Sequence, residues 1–219
     1  MMRLILAPAT ALLAVTAALA PASASDTPER GASQAPDDIV FDVYRNGSPF
    51  GEHAVRFDVR PDGSLEVDVE IDLHVRFGPV TVFRYEHDAT EIWRGGELQR
   101  LAASTLKSGE RSQVEIERAG ERFRSNEGTF PALIPSSHWR GYPQSARAIL
   151  NTETGEPLEV SVQDLGPDRI ATSSGIVDAH RIRMTGSLTV DLWYDEAGRW
   201  VGCEFEARGQ SIRYVLRES

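Results

Sequence analysis

The residues with chemistry to offer are few: five histidines (His53, His74, His87, His138 and His180), one cysteine (Cys203) and one lysine (Lys107) in 219 residues. A zinc site wants ligands at short fixed spacings such as His-x-Glu or His-x-x-x-His, and none is present. A single cysteine makes no internal disulfide and rules out the multi-thiolate sites of structural zinc and of most iron–sulfur clusters. Flanked by Val201 and Phe205, Cys203 reads as a small buried hydrophobe. Alternation aligns His53 with Val55 and Phe57, and His180 with Ile182 and Met184, which puts both at the margin of a core. His74 shares a polar face with Asp72 and Arg76.

His87 and His138 are the two catalytic candidates. Thr81, Phe83, Tyr85 and His87 share one face of a strand, with Arg84 and Glu86 on the other. His138 stands in Ser136-Ser137-His138-Trp139. If that segment folds over the sheet, these groups converge near Asn151 and Thr152. Two histidines and a serine could support general-base or nucleophilic hydrolysis, or an isomerisation. The other parts are missing: there is no Gly-x-Ser-x-Gly elbow, and no Asp is placed by motif to orient either ring. Pro135 and Trp139 read equally well as a rigid loop anchored by an aromatic plug. With no dinucleotide fingerprint, P-loop or haem-attachment motif, neither cofactor nor metal is called for.

Charge narrows the partners. The chain has 23 basic against 33 acidic residues, a net −10, so its long-range field repels phosphate backbones and excludes nucleic acid as a partner. Glu66, Asp68, Glu70 and Asp72 project in a row at intervals of about 7 Å along one strand, which suits solubility better than calcium. Asp191, Asp195 and Glu196 are explained by hairpin chemistry. Of the arginines, Arg84, Arg140 and Arg199 are those that could clamp a carboxylate or phosphate.

The elements that must position these groups are strands. From Ile39 onward the pattern has period two; in Leu65 to Phe77 every odd position is apolar and every even one polar, as in antiparallel sheets with one face in water. Asn46-Gly47, Pro61-Asp62-Gly63, Gly78-Pro79, Gly95-Gly96, Ser108-Gly109, Ala119-Gly120 and Ala197-Gly198 carry hairpin-turn chemistry. The expected strands are 39–45, 53–59, 65–77, 80–94, 98–107, 113–118, 158–164, 177–185, 188–194, 200–207 and 211–216. The fold class is therefore all-β: an antiparallel up-and-down meander of ten to eleven strands, strongly bent or a half-closed barrel. A loop-and-helix insert over 126–154, with a short helix over Gln144 to Leu150, separates the two halves and is the spare material for a lid.

Arg3, the apolar run Leu4 to Ala20 and the end Ala22-Ser23-Ala24 have the three parts of a cleaved signal peptide, residues 1–24. Residues 25–38, rich in Pro, Ser, Gly and acid, form a disordered tether, and 39–219 a single β domain. No cysteine lies near the cut, so the protein is not a lipoprotein. No second segment of membrane length follows, which makes the mature chain periplasmic or secreted without a membrane span. Nothing in the sequence speaks to an oligomeric state.

The segments Phe77 to His87, Ser137-His138-Trp139, Leu150 to Gly155 and Asp191 to Gly202 resemble those of an uncharacterised proteobacterial family of exported proteins, catalogued as a domain of unknown function. The likeness runs from about Val43 to Val215 and brings no activity with it. More remotely, the architecture is similar to the half-barrels of periplasmic lipoprotein carriers. The leading expectation is a non-enzymatic binding or envelope-associated protein. Its apolar concave face, lined by Phe83, Tyr85, Trp93 and Trp139 with His87, His138, Asn151 and Thr152, would take a lipid or an apolar segment of an envelope protein. The alternatives are an interaction module with a filled core, and a hydrolase or isomerase using His87 and His138.

Overall fold

A computed structural model describes residues 35–78, 80–126 and 128–217. The expected signal peptide and all but the last four residues of the expected tether lie outside them. The described residues form β1 (Ile39–Arg45), β2 (Ser48–Val59), β3 (Leu65–Phe77), β4 (Val80–Arg94), β5 (Glu97–Lys107), β6 (Glu110–Ala119), β7 (Arg122–Ser125), β8 (Gly128–Pro131), β9 (Ala148–Leu150), β10 (Pro157–Glu159), β11 (Ser161–Ala171), β12 (Ile176–Thr185), β13 (Thr189–Tyr194), β14 (Trp200–Ala207) and β15 (Gln210–Leu216). There is no helix among them.

Thirteen strands make one antiparallel sheet in the order β11-β12-β13-β14-β15-β1-β2-β3-β4-β5-β6-β7-β8; β9 and β10 form a separate hairpin. Every neighbour within the two arms is joined by a hairpin. The arms meet where β1 pairs with β15, in a register running from Phe41↔Leu216 to Arg45↔Ile212. Edge strands β11 and β8 do not pair with each other, so the sheet is not closed.

Register shifts at Val43/Tyr44, Val75/Arg76, Ile92/Trp93, Asp164/Gly166 and Trp193/Tyr194 are bulges, which bend a strand and increase its twist. The bend is strong in the C-terminal arm. A Cβ on Gly202 of β14 would stand 2.1 Å from Ile170 Cδ1 of β11, two strands further across the sheet than a neighbour. The Ser173 N–H donates to the Leu216 carbonyl at 2.9 Å, bringing the β11–β12 turn over β15. On the inner face Phe41, Leu101, Phe123, Leu192, Trp200 and Leu216 are fully buried.

Three expectations need correction. The strands among the described residues number fifteen, because β7 lies just ahead of the expected insert, β8 and β9 lie within it, and the run 158–164 divides into β10 and β11. The insert is consequently a strap over 132–160. Its helix is absent: Pro143 to Ala146 make a turn, with Ala146 N–H on the Pro143 carbonyl, and Ala148–Leu150 is a strand. Seven residues behind a proline form a marginal helix at best. Here the backbone finds better partners, since Leu150 donates to Ile134 and accepts from Ser136, both at 2.8 Å, while β9 pairs with β10.

Candidate functional site

The strap lies against the inner face of the sheet, and what joins the two is a seam of polar groups among aromatic rings. At one end His87 of β4, 3% exposed, uses both ring nitrogens on hydroxyls: Nδ1 with Thr105 Oγ1 at 2.8 Å and Nε2 with Thr152 Oγ1 at 3.2 Å. Thr152 is held within the strap by Ser136, whose Oγ lies 3.2 Å from both its Oγ1 and its backbone N. Burial lowers the His87 pKa, against the opposing pull of Glu153 and Asp88.

Beside it, the Tyr85 hydroxyl and Lys107 Nζ donate to the two oxygens of Glu153, each at 2.8 Å. Burial works against the Glu153 carboxylate, yet these two hydrogen bonds and the Lys107 charge outweigh it and hold its pKa below the ordinary value. The same burial, then the Glu153 charge, push the Tyr85 phenol up. The strap reaches the sheet at this end because of Gly155. Its φ of +75° suits glycine, and a Cβ there would meet Val114 Cγ1 at 2.9 Å.

The middle of the seam is Glu91 of β4, wholly buried. Its Oε2 accepts from Trp93 Nε1 at 2.8 Å and from Trp139 Nε1 of the strap at 3.0 Å, while Oε1 has no partner among the described residues. Burial raises its pKa, opposed by hydrogen bonds from Trp139, Ser137 and Trp93 and by the Arg140 charge. The Trp139 ring packs edge-on against Trp93 at 5.4 Å and Phe57 at 5.2 Å.

At the far end His138 has a φ of +66°, and its carbonyl accepts from Tyr194 of β13 at 2.8 Å. Its Nδ1 meets the Tyr142 hydroxyl at 2.7 Å, and that hydroxyl donates to the Pro135 carbonyl. Burial depresses the His138 pKa to about 4. Next to it His53 of β2 sits in a box of Trp200, Tyr214 and Phe41 rings, 5.1, 5.6 and 6.4 Å away. Neither of its ring nitrogens has a partner among the described residues, and burial, then His138 and His87, bring its pKa to about 3.

The residues expected to line an open concavity thus meet different fates. Tyr85, His87, Trp93, His138, Trp139 and Thr152 do gather where strap and sheet meet, but they contact one another. Phe83 stacks on Phe50, 5.7 Å away, and Asn151 shapes the β9–β10 turn, its Oδ1 accepting from the Glu153 N–H. His87 and His138 serve different partners, and among the described residues neither is hydrogen-bonded to a carboxylate. His180, expected at the core margin, is exposed on the surface and paired with Asp164, because the apolar face of β12 changes parity between Ala179 and Ile182, opposite the β11 bulge. Cys203 is buried and its thiol pKa is pushed up by burial. The row of acids on β3 is spent on Arg60, Thr90, Arg56 and His74.

Sequence reasoning missed Glu91, Glu153 and the role of Lys107. Glu91 had a signal: it shares parity with Phe83, Tyr85, His87, Ala89 and Trp93, so a carboxylate was bound for the inner face. Glu153 had none, since its partner Tyr85 lies 68 positions away.

Comparison with known proteins gives a family and a fold. Residues 41–217 match the model of a family described as a domain of unknown function (DUF6134), in accord with the resemblance seen in the sequence. No curated protein matches the chain. Among solved structures it is similar to the β-barrel-like protein of domain of unknown function DUF1849 from Brucella abortus. That likeness has a TM-score of 0.58, covers 83% of this chain and 95% of that one, and comes with 8% identity; it speaks to the fold alone.

Proposed function

The chain belongs to the DUF6134 family, and on that premise we propose that it is an exported, non-enzymatic binding protein of the cell envelope. In this reading the strap occupies the apolar concave face until a lipid acyl chain, or an apolar segment of an envelope protein, takes its place. The observation that carries it is the polar seam. A bonded polar group contributes only about 0.5–1.5 kcal/mol net, because it exchanges its partner for water on exposure. Apolar surface gains nothing comparable when it is uncovered. A strap held by Tyr85–Glu153, His87–Thr152, Glu91–Trp139 and Tyr194–His138 contacts lifts at less free energy than an apolar plug of equal area. Export rests on the N-terminal pattern of charge, apolar run and Ala-x-Ala.

A second reading, an interaction module with a permanently filled face, draws on the mutual contacts of Trp93, Trp139 and Thr152. Amide exchange separates the two. The full chain, purified from its own envelope fraction, is weighed by native mass spectrometry and then titrated with the neutral apolar probe N-phenyl-1-naphthylamine. The binding reading expects a co-purifying lipid or saturable probe binding, with faster exchange at the Ser136 and Leu150 amides. An apo mass, no probe binding and strap amides as protected as those of β1 would establish the filled module instead.

A further inference from the structure

An open groove of about 520 Å³ runs between the β4–β5 turn, the end of β6 and the strap, and borders the seam at Trp93 and Tyr142. This is the size range of small-ligand sites. One wall is apolar, from Leu133, Ile134, Tyr142 and Pro143 of the strap and Leu98 of β5. The other end carries two guanidinium groups, of Arg140 and Arg118. Arg140 lies over the Trp93 ring at 4.5 Å and the Trp139 ring at 5.6 Å, and donates through Nη1 to the Gly96 carbonyl. It forms no ion pair among the described residues, in a chain with ten more acids than bases. Arg118 is clamped in the same way: Nε donates to the Leu98 carbonyl at 2.7 Å, Nη1 to the Gly120 carbonyl at 2.9 Å, and the group lies over Phe123. One acid, Glu97, lines the groove, with an oxygen 3.6 Å from Arg118 Nη1 and its side chain 62% exposed.

Both cations are therefore held in place by rings and backbone carbonyls, with donors left over. A planar guanidinium fixed in this manner suits bidentate recognition of an anion, and little ordering entropy remains to be lost on binding. The neighbouring wall suits a hydrocarbon chain. We propose that the groove binds a single-chain amphiphile with a carboxylate head, a long-chain fatty acid in chemical class. The head lies on Arg140 and Arg118, and the tail runs along Leu133 and Ile134. The groove borders the seam at Trp93 and Tyr142 but is open as the chain stands, so binding there does not require the strap to lift.

Trp93 and Trp139 report on it directly, since both flank Arg140. The test is titration of the full chain with hexadecanoate at pH 8, followed by tryptophan fluorescence and calorimetry, with hexadecanol as the uncharged control. Saturable binding of hexadecanoate at least tenfold tighter than hexadecanol is expected. Arg140→Met, which keeps the apolar stem over the rings, is expected to weaken hexadecanoate binding about tenfold and leave hexadecanol unchanged. Arg140→Lys, which keeps the charge and loses the fork, is expected to fall between. Arg118→Met provides the same test from the other side should Arg140→Met lower the unfolding temperature.

No binding of hexadecanoate, equal binding of hexadecanol, or binding unchanged in both Met variants would overturn the proposal. Exchange at the Ser136 and Leu150 amides during the same titration keeps it distinct from the strap-lifting reading. Arginine-dependent binding with a protected strap upholds the groove alone. Arginine-independent binding with an exposed strap removes the groove and leaves the concave face.

Discussion

Glu91 is the residue whose environment departs furthest from its chemistry. It is a carboxyl group with no exposure, two indole donors on one oxygen and, among the described residues, none on the other. Burial holds its pKa above the ordinary 4.5. As the pH rises past that value the unfolded chain releases the proton while the folded chain keeps it. This group's contribution to stability therefore falls with rising pH until the folded carboxyl ionises. Glu91→Gln retains an acceptor for both indoles and has no proton to lose. In urea unfolding between pH 4 and 8 it is expected to gain on the wild type as the pH rises, and a pH-independent difference would refute this account. Glu91→Ala leaves both indole N–H groups without an acceptor and is expected to lose about 2–4 kcal/mol at pH 4, and less as the pH rises. The position was legible in advance as a carboxylate on the apolar parity of β4. Which indoles it would meet was not, because Trp139 lies 48 residues away on a segment without period.

Among the elements, the strap is held close by one glycine and the open sheet is guarded at its edges. Gly155→Ala meets both the left-handed φ of +75° and a Val114 methyl 2.9 Å from the new Cβ. It is expected to lose about 2–4 kcal/mol and to speed exchange at the Leu150 amide. Gly198→Ala, with a φ of +81° and nothing within 4 Å, isolates the backbone strain and is expected to lose about 1–2 kcal/mol with the strap unaffected. Equal losses in the two variants would show that the strap does not press on β6 there. Edge strand β11 carries a bulge at Asp164/Gly166, Pro167 in its middle and the charges of Asp168 and Arg169; edge strand β8 is four residues long and ends in Pro131. Short edges, prolines, charges and bulges are what keep an unpaired edge from recruiting another chain. The regular elements were the legible part: 39–45, 65–77, 80–94 and 200–207 are strands with the bounds their alternation predicts. β7, β8 and β9 were missed because four or fewer residues hold too few alternations to register.

For the whole molecule, the buried histidines make stability fall on the acid side. His53 keeps a pKa of about 3 in the fold against 6.5 free. The unfolded chain takes up its proton as the pH drops through 6.5 and the folded chain only near 3, so stability present above pH 6.5 is lost across that window, by at most about 5 kcal/mol. His87 and His138 act in the same direction. His53→Phe, which fills the ring box without orphaned nitrogens, is expected to raise the unfolding temperature and flatten its dependence on pH between 4 and 6.5. Parallel curves for variant and wild type, followed by circular dichroism, would refute it. The all-β class, the hairpin order and the polar outer face follow from the sequence by itself, because alternation and turn chemistry are decided within a few residues and the chain runs as a meander. Three things were decided only in the tertiary structure: the pairing of β1 with β15 across Phe41 and Leu216, the strap in place of a helix, and the seam that brings His138 of the strap to the face of the sheet carrying His87 and Glu91. Each joins segments tens of residues or more apart. A local pattern carries the need to bury a face or satisfy a donor, and the folded chain alone determines which distant group meets that need.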